Sequence, residues 1–440
     1  MKTRNDFKNA TSAKKKKKEK NQPLVGRMKF YFKNPIVDAY FAAVLAYSTR
    51  GGGDLGEVYA AAGRISQYDT EAWVREFTQM ADKVAVMALE ALAKGHLVTA
   101  RDRYLRAFAH ERAALFQLSP LKYPDRYREH RLSSQERFRK AISLFNHPVE
   151  VLEIPFEGKM LPGYFMKPDN SNTKRPTLIT LGGGDSVCED ICLLFGLNDQ
   201  DRGYNIISVD LPGMGSTALD GMLMTPKPEK AMSAVIDYIL ARPDVDEERL
   251  AVWGASLSGY NVPRVAIHDK RIKAVIANSI ILNLNEYFVQ VKEVEMLAKY
   301  ENTFWFKTAT RLFGSWLAGL YNVMDTWKWK WGVDTLAEWL EVCTEYVLDP
   351  SEIDVPILLL VGEDELAFAN SKRFHDEAMA KIKHPHKKMV VGSAALGASG
   401  KNMMPNFNMI RETTFDWLDE LFCNKTHQPS VIGHMESEMA

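Results

Sequence analysis

The chain has 440 residues, 46% of them hydrophobic and 25% charged, with four cysteines. That is the composition of a globular protein of sizeable core, and it excludes a disordered, collagen-like or disulfide-stapled chain. The 56 basic and 56 acidic side chains cancel, so overall basicity gives no reason to expect nucleic-acid binding by the body.

The cancellation hides an asymmetry. Residues 1–20 hold nine basic side chains, with Lys14, Lys15, Lys16, Lys17 and Lys18 in one run, against two acidic ones. The remainder is therefore mildly acidic. Residues 1–22 read as a disordered basic tail. A solvated arm is favoured over a nuclear or anionic-surface address. No apolar stretch follows these lysines, which argues against a secretory signal. No run of about 18 apolar residues occurs, which argues against a membrane span. Cys188, Cys192, Cys343 and Cys423 make no CxxC spacing. They read as buried thiols in a reducing compartment rather than as disulfides or zinc ligands. These features predict a cytoplasmic protein with no membrane or nucleic-acid partner, acting on a small molecule. A homodimer stays open as its assembly.

Residues 23–147 read as an N-terminal helical domain. The segments 81–93 and 100–116 carry Ala, Leu, Met and aromatic residues at helical spacing. Gly51, Gly52, Gly53 and Asp54 mark a turn between helices. After Pro148 the period changes. Residues 149–156 and 160–166 alternate as two strands around a Glu157-Gly158 turn. Short apolar, β-branched runs then alternate with helices: 177–181, 205–209, 250–253, 272–277, 357–361 and 388–391. That pattern predicts an α/β core with about eight strands, mostly parallel and buried on both faces. The core occupies 148–280 and resumes at 351–424, before a C-terminal tail at 425–440. Between its halves, 281–350 reads as a helical insertion holding six of the nine tryptophans: Trp305, Trp316, Trp327, Trp329, Trp331 and Trp339. An aromatic lid over a substrate pocket and plain core packing are equally consistent with that content.

Chemistry concentrates at four loops. The run Leu250 to Tyr260 is a strand, a tight turn and a helix, with Gly254 and Ser256 at its centre. Small neighbours let a serine sit on a strained turn with its hydroxyl above the sheet. Ser258 stands where that pattern expects glycine, and Gly259 follows. Upstream, Gly182, Gly183 and Gly184 end a strand. Together with the N–H of Leu257, the N–H of Gly184 or Gly183 can form an oxyanion hole. A phosphate cradle is disfavoured, because neither the GxGxxG spacing nor a nucleotide-loop lysine is present. The turn at Asp210 to Ser216 reads as pocket wall. Downstream, a late strand ends at Gly362 and is followed by acids. Asp364 is the first choice to orient a catalytic partner, with Glu365 its close rival.

These motifs together resemble the α/β-hydrolases that carry an N-terminal helical domain. That group includes the fermentation-respiration-switch esterases, the 2,6-dihydroxypseudooxynicotine hydrolases and fungal pigment or polyketide-processing hydrolases. The resemblance covers roughly residues 28–424. It rests on Gly51 to Glu57 and Trp73, on the hairpin with Leu161, Pro162, Gly163 and Tyr164, on Gly183 to Ser186, on the Ser256 turn and on Phe415 to Leu418. It implies an α/β-hydrolase fold with a helical lid insertion. It also implies hydrolysis of an ester, a thioester or a carbon–carbon bond beside a ketone, by serine, acid and histidine, with no cofactor and no metal.

One position departs from the group. Its histidine follows a Gly-Ala-x-x motif after the last strand. Here that loop reads Gly397, Ala398, Ser399, Gly400, Lys401, Asn402, so lysine stands at the histidine position. His375, His384 and His386 precede the last strand and read as surface residues. A lysine is protonated at neutral pH unless burial depresses its pKa from about 10.4. Three readings of Lys401 follow. It is a base in a Ser-Lys arrangement, or a cation or amine in a lyase, cyclase or condensation reaction, or the mark of a broken triad in a protein that only binds its ligand. The leading expectation is a serine-hydrolase-like enzyme for a small or medium, partly aromatic or polyketide-like metabolite.

Overall fold

The computed structural model describes residues 29–306, 308 and 318–422. The basic tail, Trp316, Cys423 and the C-terminal tail lie outside the described residues.

Five helices come first: α1 (Pro35–Ser48), α2 (Leu55–Ala62), α3 (Thr70–Ala93), α4 (Leu97–Leu115) and α5 (Pro124–Ile142). Side-chain caps start three of them, from Asn34, Asp54 and Asp69, each satisfying N–H groups that a helix leaves open. Their shared core is aromatic. Trp73 is buried between Phe41 and Phe77, and its indole N–H donates to the Ala113 carbonyl at 2.7 Å.

The sheet follows: β1 (Val149–Phe156), β2 (Lys159–Met166), β3 (Arg175–Leu181), β4 (Asn205–Val209), β5 (Val245–Ala255), β6 (Ala274–Asn278), β7 (Ile357–Gly362) and β8 (Lys387–Gly392). Its order is β1-β2-β4-β3-β5-β6-β7-β8. The first two pairings are antiparallel and the rest parallel. Glu157 and Gly158, both at positive φ, close the first hairpin, as a two-residue turn matching strand twist requires. The expected eight-stranded α/β-hydrolase architecture is therefore present, with strand ends within a few residues of those expected.

Along β3, Leu178 and Ile179 belong to different core clusters, as period-two alternation in a doubly covered sheet demands. On one face lie α7 (Glu229–Leu240), α8 (Ser258–His268) and the insertion helices α9 (Leu284–Val289), α10 (Lys292–Tyr300), α11 (Ala318–Trp331) and α12 (Leu336–Cys343). On the other lie α6 (Cys188–Leu194) and the closing helix α14 (Phe407–Phe422). The helices α4 and α5 join that second face: Phe138 meets Tyr164 edge-on at 4.9 Å. The helix α13 (Ala369–Lys381) stands between β7 and β8. No helix among the described residues is long and apolar enough to cross a membrane.

Candidate active site

Ser256 is the first of two residues between β5 and α8, and it sits at φ 55°. A non-glycine residue in the left-handed region costs about 1 kcal/mol or more. The surroundings hold it there. Its N–H donates to the Asn278 carbonyl at 2.8 Å, and its carbonyl accepts from Gly259 N–H at 2.7 Å. A Cβ on Gly254 would come within 2.5 Å of the Ser258 carbonyl, and one on Gly259 within 1.8 Å of the Ser279 carbonyl. The two glycines are therefore what allow so tight a turn. Ser258 has its own use: its hydroxyl donates to the Gly182 carbonyl at 2.5 Å, tying the helix start to the end of β3.

The loop after β3 lies against the serine. A Cβ on Gly183 would fall 2.9 Å from Ser256 Cβ. Gly183 N–H is occupied, because it donates to Ser186 Oγ at 3.1 Å. Of the two glycine amides considered from sequence, Gly184 is thus the one left to pair with Leu257 as an oxyanion donor, and Gly183 serves by having no side chain.

The acid and the lysine meet from two further loops. Expectation put Asp364 first. Its side chain instead accepts from Ser399 Oγ at 2.8 Å, and its N–H donates to the Ser399 carbonyl at 3.0 Å. The carboxylates whose charge favours the Lys401 ammonium are Glu365 first and then Asp185. The physical reason lies in Gly362: a Cβ there would strike the carbonyls of Ser399 and Gly400 at 2.3 Å. The chain leaving β7 must first pass that loop, so the acid three residues on turns inward. Glu365 is buried and accepts from Ser279 Oγ at 2.8 Å and from Asn402 N–H at 2.7 Å.

Burial raises the Glu365 carboxyl above the usual carboxylate range, opposed by those two hydrogen bonds and by Lys401. Burial lowers the Lys401 ammonium from its ordinary value, opposed by Glu365 and Asp185. Both groups are pushed toward their neutral forms, which brings the lysine nearer to a usable base. The Lys401 Nζ lies 5.8 Å from the Tyr287 ring centre. Asn278 joins the serine to this loop, since its side-chain amide donates to the Asn402 carbonyl at 2.9 Å while its own carbonyl holds Ser256 N–H.

The three histidines divide. His386 is exposed and His384 half-buried, but His375 is fully buried on α13, with Nδ1 2.8 Å from the Ser371 carbonyl. Its surface assignment is corrected: the residue lies on the face of α13 turned to the core.

The insertion's Trp327, Trp331 and Trp339 pack into the core, one of the two roles open to its tryptophans from sequence. Trp327 and Trp339 stack at 4.9 Å, and Trp331 meets Trp339 edge-on at 5.9 Å. Trp327 also donates to Asp185 Oδ1 at 2.9 Å. Trp305 is 80% exposed and belongs to neither group.

Sequence reasoning missed Asn278, Ser279, Asp185 and the buried Lys330. Asp185 lies within the Gly183 to Ser186 motif, which by itself gives its side chain no role, and the other three are brought to the site by the fold. Among the described residues, Cys188, Glu189 and Asp210 lie close enough to share a metal ion. They do not suit one. Arg131 already meets both Glu189 oxygens, at 2.9 and 3.1 Å, and burial drives the Cys188 thiol far up, disfavouring thiolate.

Against this geometry stand the comparisons with known proteins. A family described as "Esterase FrsA-like" matches residues 63–301, more than half the chain. The chain belongs to that family, within the α/β-hydrolases. Hydrolase ORFZ of Pyricularia oryzae is 36% identical over 264 residues, covering 57% of this chain and 62% of that protein. The chain thus spans under two thirds of that relative's length. The 20-hydroxy-prefusarin hydrolase of Gibberella moniliformis is 29% identical over 408 residues, covering 85% and 93%. The crystal structure of 2,6-dihydroxy-pseudo-oxynicotine hydrolase superposes with a TM-score of 0.67 at 22% identity, covering 88% of this chain and 98% of that one. At that identity the likeness speaks for the fold alone.

Proposed function

We propose that this FrsA-like protein is a serine hydrolase for an acyl-type bond, with Lys401 as the proton acceptor and Glu365 as its partner. The observation that carries the reading is the double role of Asn278. One residue holds the N–H of the strained Ser256 and the loop that bears Lys401. In the reaction, Ser256 Oγ attacks the carbonyl carbon and its proton passes to the neutral Lys401 amine. The N–H groups of Gly184 and Leu257 take the developing oxyanion. The ammonium, stabilised by Glu365, then protonates the leaving oxygen, sulfur or enolate carbon. Water reverses the exchange, releasing the acid and restoring Ser256.

The substrate class is read as an ester, thioester or β-diketone-like bond in a partly aromatic or polyketide-like metabolite. The contiguous aromatic rings of buried Tyr287 and Phe288 and half-buried Trp327 support this, since flat unsaturated groups stack well on such rings. The relative named for 20-hydroxy-prefusarin supports a secondary-metabolite substrate. The test is labelling by a fluorophosphonate probe across pH 6 to 10. Covalent modification at Ser256, lost in Ser256→Ala, is expected. No labelling at any pH would leave the fold as a binding or scaffolding protein.

A further inference from the structure

The loop Gly182 to Ser186 carries one oxyanion donor, and a glycine backbone has little stiffness of its own. Each of its peptide planes is pinned separately. The Gly183 carbonyl accepts from Ser186 N–H at 3.2 Å. The Gly184 carbonyl accepts from Lys330 Nζ at 2.5 Å. The Asp185 carbonyl accepts from Arg112 Nη2 at 2.5 Å, and its carboxylate takes Tyr40 OH at 3.0 Å and Trp327 Nε1 at 2.9 Å. A trans peptide is planar, so fixing the Gly183 carbonyl aims the Gly184 N–H the opposite way.

Two of these grips, and one further packing contact, come from one helix. On α11, Trp327, Lys330 and Trp331 are spaced i, i+3, i+4 and share a face. Trp327 holds the Asp185 side chain, Lys330 holds the Gly184 carbonyl, and a Cβ on Gly184 would lie 3.7 Å from the Trp331 ring. The opposite face of α11 is fastened to α5 and to the segment joining α4 to α5. Asn322 donates to the Gln117 carbonyl at 2.7 Å, Ser119 donates to Asp325 at 2.7 Å, and Trp329 packs edge-on against Tyr127 at 5.3 Å.

We infer that α11 is the positioning element of the oxyanion loop, with Lys330 as its positioning residue. The inference rests on the proposed function for its catalytic consequence but not for its structural one. Lys330 is 2% exposed, and a buried ammonium needs stated compensation. Asp185 and Asp210 supply it, while Arg112 and Arg131 oppose it; burial sets its pKa at about 8. A cation placed at that cost, bonded to one loop carbonyl, fixes the segment more firmly than a neutral donor does.

The test pairs hydrogen exchange with labelling. In Lys330→Met, amide exchange across residues 183–187 is expected to rise at least about tenfold, with protection on β5 and β6 unchanged. The maximal rate of Ser256 labelling by the fluorophosphonate should fall on the order of 10²-fold, with half-saturation little altered. Trp327→Phe removes the indole N–H donor while keeping an aromatic ring in the stack, and should raise exchange at the same amides by a smaller factor, about threefold; it decides the matter if Lys330→Met does not fold. Unchanged exchange at 183–187 in the folded variants overturns the inference. Faster exchange in the variants of a protein whose Ser256 never labels leaves the inference standing and removes the hydrolase reading.

Discussion

The backbone N–H of Asn402 donates to Glu365 Oε2 at 2.7 Å, one residue beyond Lys401. The contact ties the acid loop after β7 to the lysine loop after β8, and it leaves Asp364 facing Ser399 on the other side. Two neighbouring acids therefore have separable roles. Glu365→Gln keeps the shape but removes the anion that stabilises the lysine once it has taken a proton. Ser256 labelling is expected to fall on the order of 10²-fold or more. Asp364→Asn can still accept from Ser399 and should leave labelling within about threefold. Equal losses in the two variants would remove Glu365 from its assigned role.

The pH dependence follows from the same pair. In the proposed mechanism the free amine is the base, so labelling should rise with pH as Lys401 loses its proton. Burial places that limb below the ordinary lysine range. Glu365 opposes the downward shift, so Glu365→Gln should move the limb to still lower pH even as the plateau drops. Lys401→His should bring the limb toward a reference imidazole pKa of about 6.5. A profile that is flat from pH 6 to 10, and the same in wild type and Lys401→His, would exclude residue 401 as the base.

Strand content and the serine turn were legible in the sequence because both are local. Period-two runs such as 149–156 write strands directly, and Gly254, Ser256 and Gly259 write a turn too tight for larger neighbours. The choice between Asp364 and Glu365 was not legible, because it depends on how closely Gly362 passes the Ser399 and Gly400 carbonyls, a contact between segments 37 and 38 residues apart. Lys330 was invisible for a stronger reason. It sits in a Trp-Lys-Trp-Lys-Trp run whose spacing singles out neither lysine, and only the packing of α11 turns it inward. His375 misled because its polarity suggested solvent, whereas its backbone contact at Ser371 lets it be buried neutral.

The two adjacent glycines beside Ser256 should respond differently to a methyl group. At Gly183 a Cβ meets Ser256 Cβ at 2.9 Å, while at Gly184 the nearest atoms are side-chain carbons at 3.7 Å and beyond. Gly183→Ala must push the serine off its turn, and labelling should drop by about 10²-fold, because a small misplacement of a reacting group is costly. Gly184→Ala keeps the N–H donor and meets only ordinary contacts, so labelling should stay within about threefold. Labelling rates of the two variants at matched thermal stability decide it.

Burial of His375 should make the fold sensitive to acid through a group outside the proposed catalytic set. Desolvation lowers its pKa from the ordinary 6.5 to about 4, against smaller opposing effects of the Ser371 carbonyl and Asp376. The folded state therefore binds fewer protons than the unfolded chain between those values. Its contribution to stability is complete above pH 6.5 and drains away as pH falls toward 4. Between pH 7 and 5 the loss from this one group is about 2 kcal/mol. His375→Leu has a similar volume and nothing to protonate. Urea unfolding at both pH values should show wild type losing about 2 kcal/mol more than His375→Leu, while labelling of Ser256 at pH 7 stays the same in both. Parallel losses would mean that His375 already carries a proton, or is solvated, in the folded protein.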